Sequence, residues 1–245
     1  MSPAVGPGTF SGVNIERWAW AGEDRYPGFC LTFVRDRTPA VVAGGLGGGR
    51  LEVMDAEEAV RLHPVTVAGS LLRCGTVPGW AVCYEERAAV AFHPSLLARL
   101  SAGTELVQVL RGGDGMNIVR RVVGGLETEQ FEPGRGARSR GEGPAVLLPR
   151  VERILGDHAG MTGLVAAVMA AGEHVGAALD RGTLDGPLPT TLTTFAERPA
   201  APSCRPGSPR RAAGARSVPR HACSSSGRSE GPLPETVSRV APRAR

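Results

Sequence analysis

Residues 79–86 read Gly-Trp-Ala-Val-Cys-Tyr-Glu-Glu, and this stretch decides the fold. Large side chains alternate with small ones from Trp80 to Tyr84, which is the pattern of a β-strand that packs one face on a core. Pro78 and Gly79 form a turn signal in front of the strand, and an apolar, β-branched run precedes them. The pattern therefore predicts a β-hairpin and contains no catalytic motif.

The turn also predicts a register for this hairpin. If Pro78 and Gly79 are its two central residues, Cys74 lies directly opposite Cys83, with Cβ atoms about 4.5–5.5 Å apart. We expect two neighbouring free thiols, because two ligands alone hold zinc poorly and a reducing cytoplasm disfavours a disulfide. A wider turn would shift the register by one residue and send the two sulfur atoms to opposite faces.

Apolar runs, caps and glycine pairs predict the other elements. Further strands are expected at 29–34, 65–77, 105–111, 116–123 and 126–131. Helices are expected after the caps Thr38 and Asp55, and at 13–20, 95–101, 146–155 and 161–179. This order predicts an α+β fold with a mainly antiparallel sheet of about five to six strands and flanking helices.

The distribution of charge separates the chain into a body and a tail. The isoelectric point is near 9.1, yet the net charge is −3 over residues 1–198 and +7 over residues 199–245. We predict a flexible N-terminus at 1–12, a single α+β domain at 13–195 and a disordered Arg/Pro/Ser-rich tail at 196–245. The abrupt change of composition is also consistent with a shifted reading frame.

Several classes of function have no support in the sequence. The chain has no signal-peptide pattern and no apolar run of 18 residues, which predicts a soluble, cytoplasmic protein without membrane contact. The histidines and cysteines lack metal-type spacing, so no metal or cofactor is expected. The tail has no aromatic residue to stack on bases, which argues against specific nucleic-acid binding. No Gly-x-Ser-x-Gly elbow is present, so nucleophilic serine chemistry has no local support.

Two local clusters have plain structural interpretations. The glycines at 44–49 lack the Lys-Ser/Thr of a phosphate-binding loop and follow a helix, so we interpret them as a flexible loop. Glu85 and Glu86 are consecutive and would point to opposite sides of a strand, which is wrong for an acid/base pair. A solvated strand end is the simpler interpretation.

Four residues form the predicted interaction surface. Trp80 and Tyr84 share one face of the central strand, and Glu127 and Glu129 share a face with Phe131 in the last strand of the meander. An acidic stripe of this kind would suit a basic partner. The alternative is that charges on an edge strand only prevent aggregation.

Four segments carry a resemblance to a known family. They are Pro-Gly-Phe-Cys-Leu-Thr-Phe-Val-Arg at 27–35, Gly-Trp-Ala-Val at 79–82, Leu-Ser-Ala-Gly-Thr-Glu at 100–105 and Phe-Glu-Pro at 131–133. In this order they resemble an uncharacterised actinobacterial family, domain-of-unknown-function family 6461, over about residues 15–192. The resemblance implies one compact domain and supplies no activity and no catalytic residue. The glycine-broken first helix and the basic tail depart from the family pattern.

Two hypotheses for function follow. The first is a non-catalytic protein-interaction module, immunity-like or regulatory, that binds another protein. The second is an enzyme or small-ligand-binding protein with a site assembled from dispersed residues such as Arg35, Trp80, Tyr84 and Glu105. A flat acidic face would favour the first hypothesis, whereas a deep apolar pocket with converging polar groups would favour the second.

Overall fold

The predicted hairpin lies in the middle of the sheet. The computed structural model describes residues 15–63, 69–86 and 90–194. In it Cys74 pairs with Cys83 across the hairpin, which confirms the predicted register. Gly79 takes the left-handed conformation, with φ of +78°, that the second turn position requires. Cys30, Cys74 and Cys83 are buried free thiols, as expected.

In the described residues the hairpin belongs to one antiparallel sheet of eight strands, not of about five to six as the sequence predicted. The strands lie in the order β2-β8-β3-β4-β1-β5-β6-β7. Their bounds are β1 Phe29–Arg35, β2 Glu52–Met54, β3 Gly69–Val77, β4 Trp80–Glu86, β5 Glu105–Arg111, β6 Asn117–Val123, β7 Leu126–Phe131 and β8 Leu188–Thr194.

The two additional strands, β2 and β8, are those with the weakest sequence patterns. β2 has only three residues, and Glu52 and Val53 are exposed, so it shows no apolar alternation. β8 contains Pro189, a residue that normally argues against a strand inside a sheet. The proline is accommodated because it lies opposite Val53 of the short β2, whereas the pairing of β8 with β3 begins only at Thr190.

The helices begin close to where their caps predicted. Thr38 Oγ1 accepts a hydrogen bond from the Val41 amide, and Asp55 Oδ1 accepts one from the Glu58 amide. The bounds are α1 Pro39–Gly45, α2 Ala56–Leu62, α3 Pro94–Leu100, α4 Leu148–Asp157, α5 Gly163–Val175 and α6 Arg181–Asp185, with 3-10 turns at Ile15–Arg17, Ala19–Gly22 and Val90–Phe92.

The sheet is the middle of three layers. We call the side that carries Trp80 and Tyr84 the first face; α4, α5, α6 and the turn Ala19–Gly22 cover it. The opposite side, the second face, carries the three cysteines and lies under α1, α3 and the turn Val90–Phe92. α5 is buried on nearly all sides because its short apolar residues pack against the first face and against α4.

The glycine cluster at 44–49 is held against the edge of the sheet. Gly48 forms an isolated bridge with Thr193, and a Cβ atom at Gly48 would lie 2.6 Å from Thr191 Cγ2. The Gly49 amide donates to Thr191 Oγ1 at 3.1 Å. These glycines allow close approach to β8, so the prediction of a flexible loop is wrong.

A row of buried polar side chains crosses the second face. Glu85 is fully buried, so its interpretation as a solvated strand end is wrong. Its carboxylate accepts hydrogen bonds from Ser70 Oγ at 2.5 Å and from the Ala91 amide at 3.0 Å. Gln108 Nε2 donates to the Ala91 carbonyl at 2.9 Å and to Thr32 Oγ1 at 3.2 Å. The row thus fixes the backbone of the turn Val90–Phe92 to the sheet.

Arg120 continues this row on β6. Its Nη1 donates to the Phe92 carbonyl at 3.1 Å, and its guanidinium carbon lies 3.8 Å from the centre of the Phe92 ring. Its Nε lies 3.3 Å from Glu127 Oε2. The charge of Arg120 is therefore balanced by a carboxylate and an aromatic face.

Two sequence predictions lie outside the described residues: the flexible segment at 1–12 and the disordered tail at 196–245. Within the described ranges, none of the helices is both long enough and apolar enough to span a bilayer.

Candidate functional site

The two carboxylates of the predicted acidic stripe lie on opposite faces of the sheet. A β-bulge follows Arg121, so that Glu129 lies opposite Arg121 while Glu127 lies opposite Val122. The extra residue, Thr128, reverses the alternation between the two glutamates. The prediction of a shared face is therefore wrong.

Glu129 is fully buried on the first face. Its carboxylate accepts hydrogen bonds from the amides of Val146, Leu147 and Leu148, at 2.8–3.2 Å. Val146 and Leu147 lie just before α4 and Leu148 is its first residue, at the end where backbone donors have no partner inside the helix. Glu129 thus caps α4 from a neighbouring strand.

Trp80 and Tyr84 are also buried, with 7% and 4% of their surface exposed. Trp80 lies at one end of the sheet, where its ring meets the His174 ring edge-on at 6.0 Å and the Arg35 guanidinium at 5.7 Å. Tyr84 lies four residues further along β4, in an aromatic cluster with Trp20, Tyr26 and Phe29.

Glu105 is the centre of the charged group beside Trp80. Its Oε1 accepts hydrogen bonds from His174 Nε2 at 2.9 Å and from Arg121 Nε at 2.6 Å, and its Oε2 lies 3.5 Å from Arg35 Nη1. The hydrogen bond from His174, with that from Arg121, lowers the pKa of Glu105 to about 2, although burial opposes this shift. We call Arg35, Glu105, Arg121 and His174 the sheet-end cluster.

Three of the four residues in the second hypothesis, Arg35, Trp80 and Glu105, therefore meet at the sheet-end cluster, and Tyr84 does not. Glu105 is bonded by three basic side chains and is 7% exposed, so it is ionised and fixed in place. This arrangement joins the C-terminal end of α5 to the starts of β5 and β4. It serves as a structural tie in which both carboxylate oxygens of Glu105 are held by basic side chains.

Tyr84 instead lines a cavity of about 110 Å³ on the first face. The floor is formed by the opposed pairs Arg73–Tyr84 and Gly75–Val82, together with Val77. The roof is formed by the segment that links α5 to β8, with Ala178, Leu179, Thr183, Leu184 and Leu188.

The roof of the cavity is held by three long side chains. Trp20 Nε1 donates to the Leu179 carbonyl at 2.8 Å, and the Tyr26 hydroxyl donates to Asp185 Oδ1 at 3.0 Å. Arg73 donates to the carbonyl oxygens of Leu184 and Gly186. The cavity is therefore enclosed by ordered elements on both sides.

Arg73 is a buried cation that bonds to backbone carbonyl groups of the described residues. It is 2% exposed, and its two Nη atoms donate to the carbonyl oxygens of Leu184, Gly186 and Met54. Burial lowers the pKa of its guanidinium. Its Nε has no hydrogen-bond partner in the described part of the chain.

Tyr84, which lines the same cavity, also has a buried polar atom without a partner among the described residues. Its ring stacks on Phe29 with centres 5.8 Å apart, while its buried hydroxyl has no partner among the described residues. Burial raises the pKa of this hydroxyl well above its usual value, so it is a neutral donor. An unsatisfied buried polar atom costs about 1–3 kcal/mol, and the two residues that carry these atoms both line one cavity, which makes it a candidate ligand site.

Gly75 provides much of the space in this cavity. A Cβ atom at position 75 would lie 3.4 Å from Leu188 Cδ2 and from Val82 Cγ1. Larger residues at this position would therefore project into the cavity. The remaining lining is mostly apolar, so the arrangement suits a small molecule with an apolar body and one polar group.

A larger hollow of about 550 Å³ lies in the loop that follows β7. Its basic residues, Arg135, Arg138 and Arg140, are exposed. None of the unpaired buried polar atoms in the described residues belongs to this loop. The cavity beneath α6 is therefore the better candidate.

The family comparison agrees with the resemblance seen in the sequence. A family model, described as a family of unknown function (DUF6461), matches residues 14–160. The chain belongs to this family. The DUF6461 match ends three residues before α5, so His174 and the cavity roof lie beyond the matched residues. The matched range is also shorter than the range of 15–192 that the sequence resemblance predicted. A search of curated proteins found no match, and a search of solved structures found none.

The sequence did not indicate Arg73, Arg121 or His174. Arg73 lies 111 residues from the Leu184 carbonyl that it binds, and His174 lies 69 residues from Glu105. No local pattern records contacts of this range. Among the described residues, no group of three or more His, Cys, Asp and Glu side chains is arranged to hold a metal ion.

Proposed function

We propose that this protein binds a small molecule in the cavity between the β3–β4 hairpin and the segment 178–188. The observation that carries the proposal is that Arg73 and Tyr84 line one mostly apolar cavity and that each has a buried polar atom, Nε and Oη, without a hydrogen-bond partner among the described residues. Buried donors are almost always bonded, and a ligand that bonds these two would offset their desolvation.

The protein-interaction hypothesis has weaker support. Of the four residues nominated for its surface, Trp80, Tyr84 and Glu129 are buried, and Glu127 is paired with Arg120. No reactive side chain in the described residues lies in the cavity wall beside the two unpaired atoms. Binding, without chemistry, is therefore the function that we propose.

The test is a titration of the full-length protein with butan-2-ol, followed by amide NMR. We expect saturable shifts confined to residues around the cavity, including Gly75, Val82 and Leu184. Gly75→Val should abolish these shifts because the methyl groups of the introduced valine would occupy the cavity. Gly44→Val is the matched control, since a Cβ atom there meets nothing within 4 Å, and it should bind like the wild type. Unsaturable shifts, or equal binding by Gly75→Val, would refute the proposal.

A further inference from the structure

The size of the cavity limits the ligand. An apolar cavity of about 150 Å³ accommodates benzene. The cavity described here, at about 110 Å³, is smaller. A ligand that fills it therefore has about four or five non-hydrogen atoms.

The two unpaired polar atoms define what the ligand must offer. Arg73 Nε can only donate, and the neutral Tyr84 hydroxyl donates as well as accepts. The two residues lie directly opposite each other on β3 and β4. A carbonyl oxygen has two lone pairs, so one oxygen atom can accept from either donor or from both. The apolar remainder of the ligand would lie along Gly75, Val77 and Val82.

The surrounding charges indicate whether this oxygen belongs to a neutral or an anionic group. Asp185, Glu86 and Asp55 all interact favourably with the Arg73 charge. Glu86 and Asp185 also act on Tyr84 in the direction that disfavours a further negative charge. Transfer of a carboxylate from water into this mostly apolar cavity would cost a large desolvation free energy. The attraction of Arg73 would not offset this cost, because the neighbouring acids already balance its charge. A neutral carbonyl group avoids this cost.

We infer that the ligand is a small uncharged carbonyl compound, with its oxygen at Arg73 and Tyr84 and its alkyl part over Gly75. The inference rests on the proposed function and specifies its ligand class. It names a ketone, aldehyde or amide of about four or five non-hydrogen atoms.

Three probes of matching shape test the inference: butanone, its hydrocarbon counterpart 2-methyl-1-butene, and its anionic counterpart propionate. Each is titrated into the full-length protein, and the dissociation constant is taken from the cavity amide shifts. We expect butanone to bind about tenfold more tightly than either counterpart, the value of one net hydrogen bond. Tyr84→Phe, which keeps the shape of the ring, should reduce this preference while the alkene binds as in the wild type.

The outcomes separate the inference from the proposed function. Equal binding of butanone and 2-methyl-1-butene would overturn the carbonyl assignment while binding in the cavity stands. Tighter binding of propionate would overturn the uncharged class. Saturable binding by none of the three would overturn both statements, and the Gly75→Val variant identifies any shift that arises outside the cavity.

Discussion

The second face of the sheet carries three cysteines together with alanine, valine and leucine side chains, under two seven-residue helices, α1 and α3. The first face carries tryptophan, phenylalanine and tyrosine under the thirteen-residue α5. On the second face the turn Val90–Phe92 lies close to the sheet, and its backbone bonds to Glu85, Gln108 and Arg120. On the first face the segment 178–188 leaves a cavity lined by Arg73 and Tyr84, and each of these residues has a buried polar atom without a partner among the described residues.

The comparison teaches that buried polar side chains have two different roles in this sheet. Glu85 binds Ser70 and the Ala91 amide, and Arg120 is paired with Glu127, so both stabilise the fold. Gln108 Oε1 and Arg120 Nε also lack a hydrogen bond in the described residues, but neither of the two cavities includes them. Arg73 and Tyr84 differ because both residues line one cavity.

The largest expected effect tests whether ring packing stabilises the first face. Trp80→Ala should lower the free energy of unfolding by about 3–5 kcal/mol, because it removes a buried ring and leaves a cavity. Urea denaturation measures this change, and Trp80→Phe is the control with a smaller loss. A loss below about 1 kcal/mol would show that the first face does not depend on this ring.

The second prediction concerns the polar row of the second face. Glu85→Leu should destabilise by about 3–4 kcal/mol because the Ser70 hydroxyl and the Ala91 amide lose their acceptor. Glu52→Leu, on the exposed strand β2, is the matched control and should change stability by less than about 0.5 kcal/mol. If the two variants unfold at the same urea concentration, the polar row does not stabilise this face.

The third prediction uses the pH dependence of the sheet-end cluster. Glu105 has a pKa of about 2 in the fold, below the usual value of 4.5 for a glutamate, so its contribution to stability is present above about pH 5. As the pH falls from about 5 to about 2, protonation should remove about 2–3 kcal/mol of stability. Unfolding curves of the wild type and Glu105→Gln should converge over this range. A constant difference between them would contradict the role of the charged form.

The smallest effect is expected at the cavity. Tyr84→Phe removes the unpaired hydroxyl and keeps the ring, so it should raise stability by about 1 kcal/mol in ligand-free protein. The melting temperature measured by circular dichroism checks this, with Tyr26→Phe as the control, because the Tyr26 hydroxyl is bonded to Asp185. Tyr26→Phe should destabilise. A loss of stability in Tyr84→Phe would mean that its hydroxyl has a partner.

Features set by neighbouring residues were predicted well from the sequence. The register of Cys74 against Cys83 followed from the turn at Pro78 and Gly79, and the starts of α1 and α2 followed from single capping residues. The same holds for β5 and β7, whose bounds match the predicted ranges.

Features set by distant contacts were not predictable. The bulge at Thr128 depends on the partner strand, and it moved Glu127 away from the face of Glu129. β8 forms a strand in spite of Pro189 because β2 and β3 flank it. The cavity needs a residue on β3, another on β4 and a segment about 100 positions later in the chain, and one sequence carries no local signal for that combination.

The paired thiols under α1 and α3 have a practical consequence. Cys74 and Cys83 are 0% and 1% exposed, and the hydrogen bond between them, together with burial, raises the pKa of Cys83. Burial likewise raises the pKa of Cys30. Since a thiol reagent needs an accessible thiolate, none of the three can react until the covering helices move. The rate at which Cys30, Cys74 and Cys83 are alkylated in the native protein therefore measures how often these helices move away from the sheet.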